Sequence, residues 1–399
     1  MKSTPHSSTG SPALAKLMLA DLSTPAFVYD EAQLISDASR ARSALGSGDT
    51  RLLAAMKALA VPDALRLLAP RLDGLHASSL FEARLARDVL GKNGLIHVTS
   101  PGLRTEEAAE LFEYADFFSF NSITQWDRLR SLSRGGLSPG LRVNPQLSIV
   151  DDPRYDPCRP QSKLGVPLTQ LREILRLNPA RLRGLEGLLV HSNCDATDLS
   201  PLLATVRALE QEIAPLLKQI AWLNLGGGYL FAEAEDLRPL SEAINLLRDR
   251  YRCSVMFEPG AALFRSAGYL VASVVDMFES DHEKVAVLDT TVNHLPEVFE
   301  YQYVHEVAGE SEDGPHRYVV AGASCLAGDI FGAYSFDEPL EIGSRVIFVD
   351  AGAYSFVKAN MFNGINLPAV YALTASGHLI QKREYTYKDF LTRCGERTK

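Results

Sequence analysis

From about residue 50 to residue 260 the chain repeats one pattern: a short apolar run, then a stretch with apolar residues at three- and four-residue intervals. The runs are Arg51–Lys57, Gly74–Ser79, Leu95–Ser100, Phe117–Ser122, Leu141–Pro145, Leu185–Ser192, Ile220–Gly228 and Ser254–Gly260. Between them, Ser79–Leu90, Thr105–Tyr114, Leu168–Leu177, Leu199–Ile213 and Leu240–Asp249 carry the spacing of amphipathic helices. Parallel strands need a crossover of this kind to return to the same end of a sheet. Eight such units predict a closed (β/α)8 TIM-type barrel; an open doubly wound sheet is the competitor.

After residue 265 the rhythm changes. Leu270–Met277, Val285–Asp289, Tyr318–Gly322, Arg345–Asp350 and Tyr371–Thr374 read as strands separated by turns. Phe27–Tyr29, ahead of the barrel, reads as one more strand of this β region. The expected organisation is a flexible or loosely docked leader over 1–23, a barrel over 31–264, and a mostly β domain (barrel or sandwich) built from 24–30 with 265–399. The leader is rich in Ser, Thr, Pro and Ala and has no basic start followed by a long apolar core, so it does not read as a signal peptide.

Of 399 residues, 46% are hydrophobic and 22% charged, enough apolar content for two packed domains. The net charge of −9 has acids and bases interspersed, which speaks against a nucleic-acid footprint or a basic membrane-surface patch. No apolar run reaches transmembrane length. Five scattered cysteines show no CxxC and no His/Cys spacing for zinc, so they read as thiols of a reducing cytosol, with no metal site.

In a parallel barrel all strand C-termini face one mouth, so residues far apart in sequence meet there. The first strand ends in Met56-Lys57-Ala58. Desolvation at such a place disfavours the ammonium and favours the neutral amine that a Schiff base requires; a solvated surface lysine is the plainer alternative. The seventh ends in Gly226-Gly227-Gly228, where backbone N–H groups can approach a phosphate, or where a loop merely turns. This is not GxGxxG, and no acidic ribose-binding position follows, which disfavours a dinucleotide.

The eighth strand ends in Phe257-Glu258-Pro259-Gly260, and a carboxylate there can keep a pyridine nitrogen protonated or simply cap a turn. The sixth ends in Val190-His191, whose flat imidazole can lie over a cofactor ring or serve as packing. Ser79 and Glu82 supply outer hydrogen bonds or a helix N-cap. These strand ends together are what a pyridoxal 5'-phosphate site needs. In the β region, Cys325 within Gly322-Ala-Ser-Cys-Leu-Ala-Gly-Asp329 is a buried inert thiol or a proton donor. Tyr354 is a phosphate ligand or β-domain packing, and Phe362-Asn363-Gly364 has the form of a tight turn.

Taken together, Lys57, His191, Gly226–Gly228, Glu258, Cys325, Tyr354 and the Phe362 turn resemble the alanine-racemase-fold, pyridoxal-phosphate-dependent decarboxylases, in particular their carboxynorspermidine/carboxyspermidine branch. The resemblance runs from about Thr24 to Leu373, and its most specific pieces are Asn121-Ser122, Tyr155–Cys158 with Ser162–Gly165, Ser324–Asp329 and Phe362–Pro368. It implies that Lys57 forms the Schiff base and Glu258 bonds the pyridine nitrogen. It further implies that His191 stacks on the ring and that Gly227, Gly228 and Tyr354 hold the phosphate. By the same resemblance Cys325 reaches into the partner subunit's site, making a homodimer with shared active sites.

Chemistry positions keep the family pattern while substrate-facing ones change: Ala261 stands where an acid is usual, Tyr229-Leu230 where histidines are usual, and Glu297 replaces a shorter acid. The resemblance implies removal of the α-carboxylate from a basic amino acid or a carboxylated polyamine. Glu297, or alternatively Asp329, is the candidate for a cationic amine at the distal end of the substrate. The competing readings are a decarboxylase of another diamino acid or amino-acid conjugate, a racemase of the same fold, and a catalytically inactive regulator.

Overall fold

Eight parallel strands close on themselves. They are Arg51–Ala55, Gly74–Ala77, Leu95–Ser100, Phe117–Phe120, Ser138–Asn144, Gly187–Val190, Trp222–Asn224 and Ser254–Phe257. Each pairs in parallel with the next, and the eighth pairs with the first, Met256 opposite Arg51 and Phe257 opposite Leu52. The computed structural model describes residues 12–46, 48–133 and 135–396. Ile35–Leu263 forms one compact unit; the chain before it, to Leu34, and after it, from Phe264, forms a second. Against the expected 31–264 the unit begins four residues later and ends one earlier, the first turn of the helix Glu31–Ala44 belonging with the second unit.

The barrel follows the sequence pattern closely. Its strands are buried on both faces, as crossover helices require, so they read as continuous apolar runs rather than alternating ones. The helices Leu80–Leu90, Thr105–Tyr114 and Leu168–Leu177 occupy their expected spans. Inside the barrel Trp222 packs with Leu53 and Met256. A Cβ on Gly187 would lie 2.0 Å from the Trp222 ring and one on Gly140 2.3 Å, so the indole determines both glycines. This explains why the fifth strand starts at Ser138, three residues before the expected Leu141: Pro139 and Gly140 look like a turn but make room for a neighbour.

The second unit is an eight-stranded sheet assembly. Ala26–Asp30 pairs antiparallel with the long strand Gly268–Ser280 and parallel with Ala369–Leu373. Alternate residues of Ala26–Asp30 face opposite cores. Phe27 packs with Leu270, Phe331, Tyr334 and Phe348, whereas Ala26 and Val28 pack with Val271, Ile347 and Tyr371. The second of these cores is closed by the helix Pro12–Leu19 through Ala13, Leu14 and Leu17, with Arg345 Nη1 donating to Leu17 O at 2.7 Å. Of the two readings of the leader, Pro12–Leu19 takes the docked one; residues 1–11 lie outside the described residues.

Two further strands, Ile330–Phe336 and Leu379–Arg383, join this unit where no strand was expected. Among the described residues no helix is long and apolar enough to cross a membrane.

Candidate active site

Lys57 follows the first strand in a turn whose neighbours are fixed. Ala55 N–H donates to Pro259 O, Met56 N–H to His76 O and Ala58 N–H to Ala55 O, all at 3.0–3.1 Å, and Met56 and Ala58 are fully buried. The lysine side chain itself keeps access to water. Its amine is nonetheless recessed in protein, which lowers its pKa below the ordinary 10.5. Burial is the main cause and the Arg142 cation adds to it, against the pull of Glu258, Cys194 and Glu82. A neutral, reachable amine is what nucleophilic chemistry on a carbonyl demands.

Glu258 ends the eighth strand and is 7% exposed. Burial alone would raise its pKa. His76, His97 and Asn224 overcome that effect and bring it to about 2, so the carboxylate stays ionised inside the barrel. His97 Nδ1 lies 2.7 Å from Oε1 and His76 Nε2 3.6 Å from Oε2. Burial also pushes His76 down to about 4, leaving it neutral near pH 7.

His191 follows the sixth strand. Burial, then the Lys57 and Arg142 charges, hold its pKa well below 6.5. Its Nδ1 accepts the Gly227 N–H at 3.1 Å, which leaves the hydrogen of the neutral ring on Nε2. The glycine triplet is sterically obligatory: a Cβ on Gly227 would sit 2.4 Å from Glu258 O, and one on Gly228 2.1 Å from Asn193 O. Gly226 and Gly228 also have φ of 69° and 88°, a region that favours glycine. Close backbone approach at this point therefore joins the ends of the sixth, seventh and eighth strands, with Glu258 N–H donating to Gly226 O at 2.7 Å.

Two polar pairs that follow strand ends are helix caps. Ser79 Oγ accepts the Glu82 N–H at 3.2 Å while Glu82 Oε2 accepts the Ser78 N–H at 2.6 Å. Ser122 and Gln125 repeat the arrangement, with Gln125 Oε1 taking the Asn121 N–H. Asn121 then uses both ends of its amide on the segment Ser162–Gly165, donating to Lys163 O at 2.8 Å and accepting from Gly165 N–H at 3.0 Å.

In the sheet unit Cys325 is exposed, and its N–H donates to Asn363 Oδ1 at 2.8 Å. Asp329 is 3% exposed and accepts the Val292 N–H at 2.7 Å and the Ser324 N–H at 2.9 Å. These bonds make Asp329 a residue that orients the loop carrying Cys325. Glu297 lies in the first turn of the short helix Pro296–Tyr301, half-buried. Tyr354 is half-buried with a φ of 64°, an uncommon conformation for an aromatic residue.

Within the barrel unit the structure thus gathers Lys57, His191, Gly227, Gly228 and Glu258; within the sheet unit it joins the Cys325 loop to Asp329 and Asn363. Four residues of the barrel site escaped the reading of the sequence: His76, His97, Arg142 and Asn224. All are buried on predicted strands, and burial lowers the Arg142 pKa to about 10. A polar residue inside an otherwise apolar parallel strand is the signal that could have found them.

The profile of a family described as pyridoxal-dependent decarboxylase, C-terminal sheet domain, matches residues 26–352. The carboxyaminopropylagmatine decarboxylase of Synechocystis sp. is 35% identical over an aligned length of 383 residues, covering 94% of this chain and 97% of that protein. The carboxynorspermidine/carboxyspermidine decarboxylase of Campylobacter jejuni is 30% identical, over 93% of this chain and 98% of its own. The crystal structure of carboxynorspermidine decarboxylase from C. jejuni complexed with norspermidine matches with a TM-score of 0.84 at 29% identity, covering 93% of this chain and 100% of that one. The chain is an enzyme of the pyridoxal-dependent decarboxylase family.

Proposed function

We propose that this enzyme removes the α-carboxylate of a carboxylated polyamine or a carboxyaminopropyl conjugate of a basic amine, giving the amine and CO2, with pyridoxal 5'-phosphate as cofactor. The observation that carries the reading is the ionised, buried Glu258 in the same barrel mouth as the recessed amine of Lys57. The full-length similarity to enzymes named for such substrates gives it its chemical class.

The residues present fit the cofactor. Lys57 offers a depressed amine for its aldehyde. Glu258 offers a fixed negative charge for a protonated ring nitrogen, and Gly227 and Gly228 offer a backbone cradle that a Cβ would obstruct. When bound, pyridoxal phosphate supplies an electron sink for the pair released as CO2 departs. The protein's own contribution is positional and protonic. Lys57 would hold the cofactor through its amine. Glu258 keeps a proton on the ring nitrogen; an arginine there would not, which separates this site from a racemase. His191, neutral with its hydrogen on Nε2, is the residue for the ring face, and Gly227, Gly228 and Tyr354 are those for the phosphate.

Cys325 is the thiol that returns a proton to the substrate α-carbon, acting in the site of a second copy of the chain. Glu297 is the carboxylate for the distal cation.

The test is CO2 release by the cofactor-loaded protein from carboxynorspermidine, carboxyspermidine, carboxyaminopropylagmatine, diaminopimelate, ornithine, lysine and arginine. Turnover of one or more of the first three well above the rest is expected. Preference for diaminopimelate, or conversion of an L- to a D-amino acid without CO2, would contradict the proposal.

A further inference from the structure

Glu258 keeps its charge with the help of three other strands. His97, on the third, and Asn224, on the seventh, both reach Oε1: His97 Nδ1 at 2.7 Å, and the Asn224 amide nitrogen as a hydrogen-bond donor. An ionised carboxylate only accepts, so His97 Nδ1 must carry a hydrogen. Asn224 Nδ2 also lies 2.5 Å from His97 Nδ1, so the two side chains and Oε1 form one tight cluster. The other imidazole nitrogen, Nε2, lies 2.8 Å from the hydroxyl of Ser119 on the fourth strand. His97, Ser119 and Asn224 are all fully buried.

Oε2 has different surroundings. Its neighbour His76 stands 3.6 Å away, and neither ring nitrogen of His76 has a hydrogen-bond partner. The Asn224 amide is used at its other end as well, since Oδ1 accepts the Gly226 N–H at 2.8 Å. One asparagine therefore ties the carboxylate to the start of the glycine triplet.

Resting on the functional reading above, we propose that His97 is a positioning residue for the decarboxylation. With Asn224 it anchors Oε1 of Glu258, so that Oε2 is the oxygen offered to the cofactor ring nitrogen, and Ser119 fixes the imidazole tautomer that makes the anchoring possible. Besides His97, the charged or titratable groups that act on Glu258 are His76, Lys57, Arg142 and His191. None of these sits on Oε1 as a donor among the bonds of the described residues. Loss of the imidazole leaves the burial of the carboxylate unchanged and removes one of the groups that oppose it.

The experiment follows the Glu258 carboxyl itself in the cofactor-free protein, by its side-chain carbon-13 shift against pH, with Glu258→Gln assigning the signal. His97→Leu is expected to raise the acid midpoint of Glu258 by about one pH unit or more. In the loaded enzyme the same change lowers kcat about tenfold or more and leaves KM unmoved. His97→Asn, whose amide nitrogen falls near the place of Nδ1, restores most of both. A folded His97→Leu protein with the wild-type midpoint overturns the proposal. Should that variant not fold, Ser119→Ala, which removes only the partner of Nε2, must move the midpoint upward, and an unmoved midpoint there overturns it equally. The carboxyl titration involves no substrate, so failure to release CO2 from any amine substrate falls on the functional reading and not on His97.

Discussion

Asn363 Oδ1 accepts the backbone N–H of Cys325 at 2.8 Å across 38 positions of sequence. Asn363 adopts a φ of 55°, which asparagine tolerates better than most residues, and Gly364 follows with 72°. The two most specific sequence pieces of the sheet unit, Ser324–Asp329 and Phe362–Pro368, are thus joined in one device that presents a thiol.

Replacing that thiol should separate binding from turnover. Cys325→Ala is expected to retain the cofactor and slow product formation about 100-fold, the ordinary scale of a lost proton donor. Asn363→Ala, which frees the loop and spares the sulfur, should cost about tenfold. Steady-state kinetics with analysis of the product ratio checks both; an unchanged rate in Cys325→Ala removes the thiol from the mechanism.

The glycine triplet makes a steric prediction. Gly228→Ala combines a φ of 88° with a Cβ 2.1 Å from Asn193 O, so it should destabilise the protein by about 1–3 kcal/mol and weaken cofactor affinity. Gly102→Ala meets nothing within 4 Å and serves as the control expected to change neither. Chemical denaturation and cofactor titration measure the pair.

Acid sensitivity should arise partly from buried neutral histidines. Burial holds His294 and His305 at about 4, below the ordinary 6.5. With the folded pKa below the unfolded one, the unfolded chain takes up protons first. Their contribution is complete above about pH 6.5, declines as the pH falls, and levels off near 4. Unfolding free energy measured across this window should therefore fall less steeply in His294→Gln and His305→Gln, by up to about 1.4 kcal/mol per pH unit for each histidine. Slopes equal to wild type would contradict the assignment.

Glu297 is assigned to recognition and not to chemistry. Glu297→Gln should raise KM about tenfold for a substrate with a distal cation while kcat stays near wild type, the loss expected of one charge-assisted hydrogen bond. A KM that does not move excludes it.

The barrel was legible because the strands are continuous buried runs and several crossover helices carry an apolar stripe, as in Leu168–Leu177. The sheet unit was less so. Leu379–Arg383 is an exposed edge strand ending in Gln-Lys-Arg, which carries no apolar alternation. Ile330–Phe336 contains Gly332 at a φ of 150° and pairs through a register shift, which breaks the period of two.

At the site, residues that end strands were readable because their place in a barrel declares them. His97 and Asn224 were not, because their significance lies in reaching a carboxylate on another strand, a relationship that spacing along the chain does not encode.

The most direct test of the account is to reduce the cofactor-loaded protein with borohydride and map the labelled peptide. The account predicts loss of the visible absorbance and a single pyridoxyl label on Lys57, with neither visible band nor decarboxylation in Lys57→Ala. A label on any other lysine, or a visible band and turnover that survive in Lys57→Ala, would contradict it.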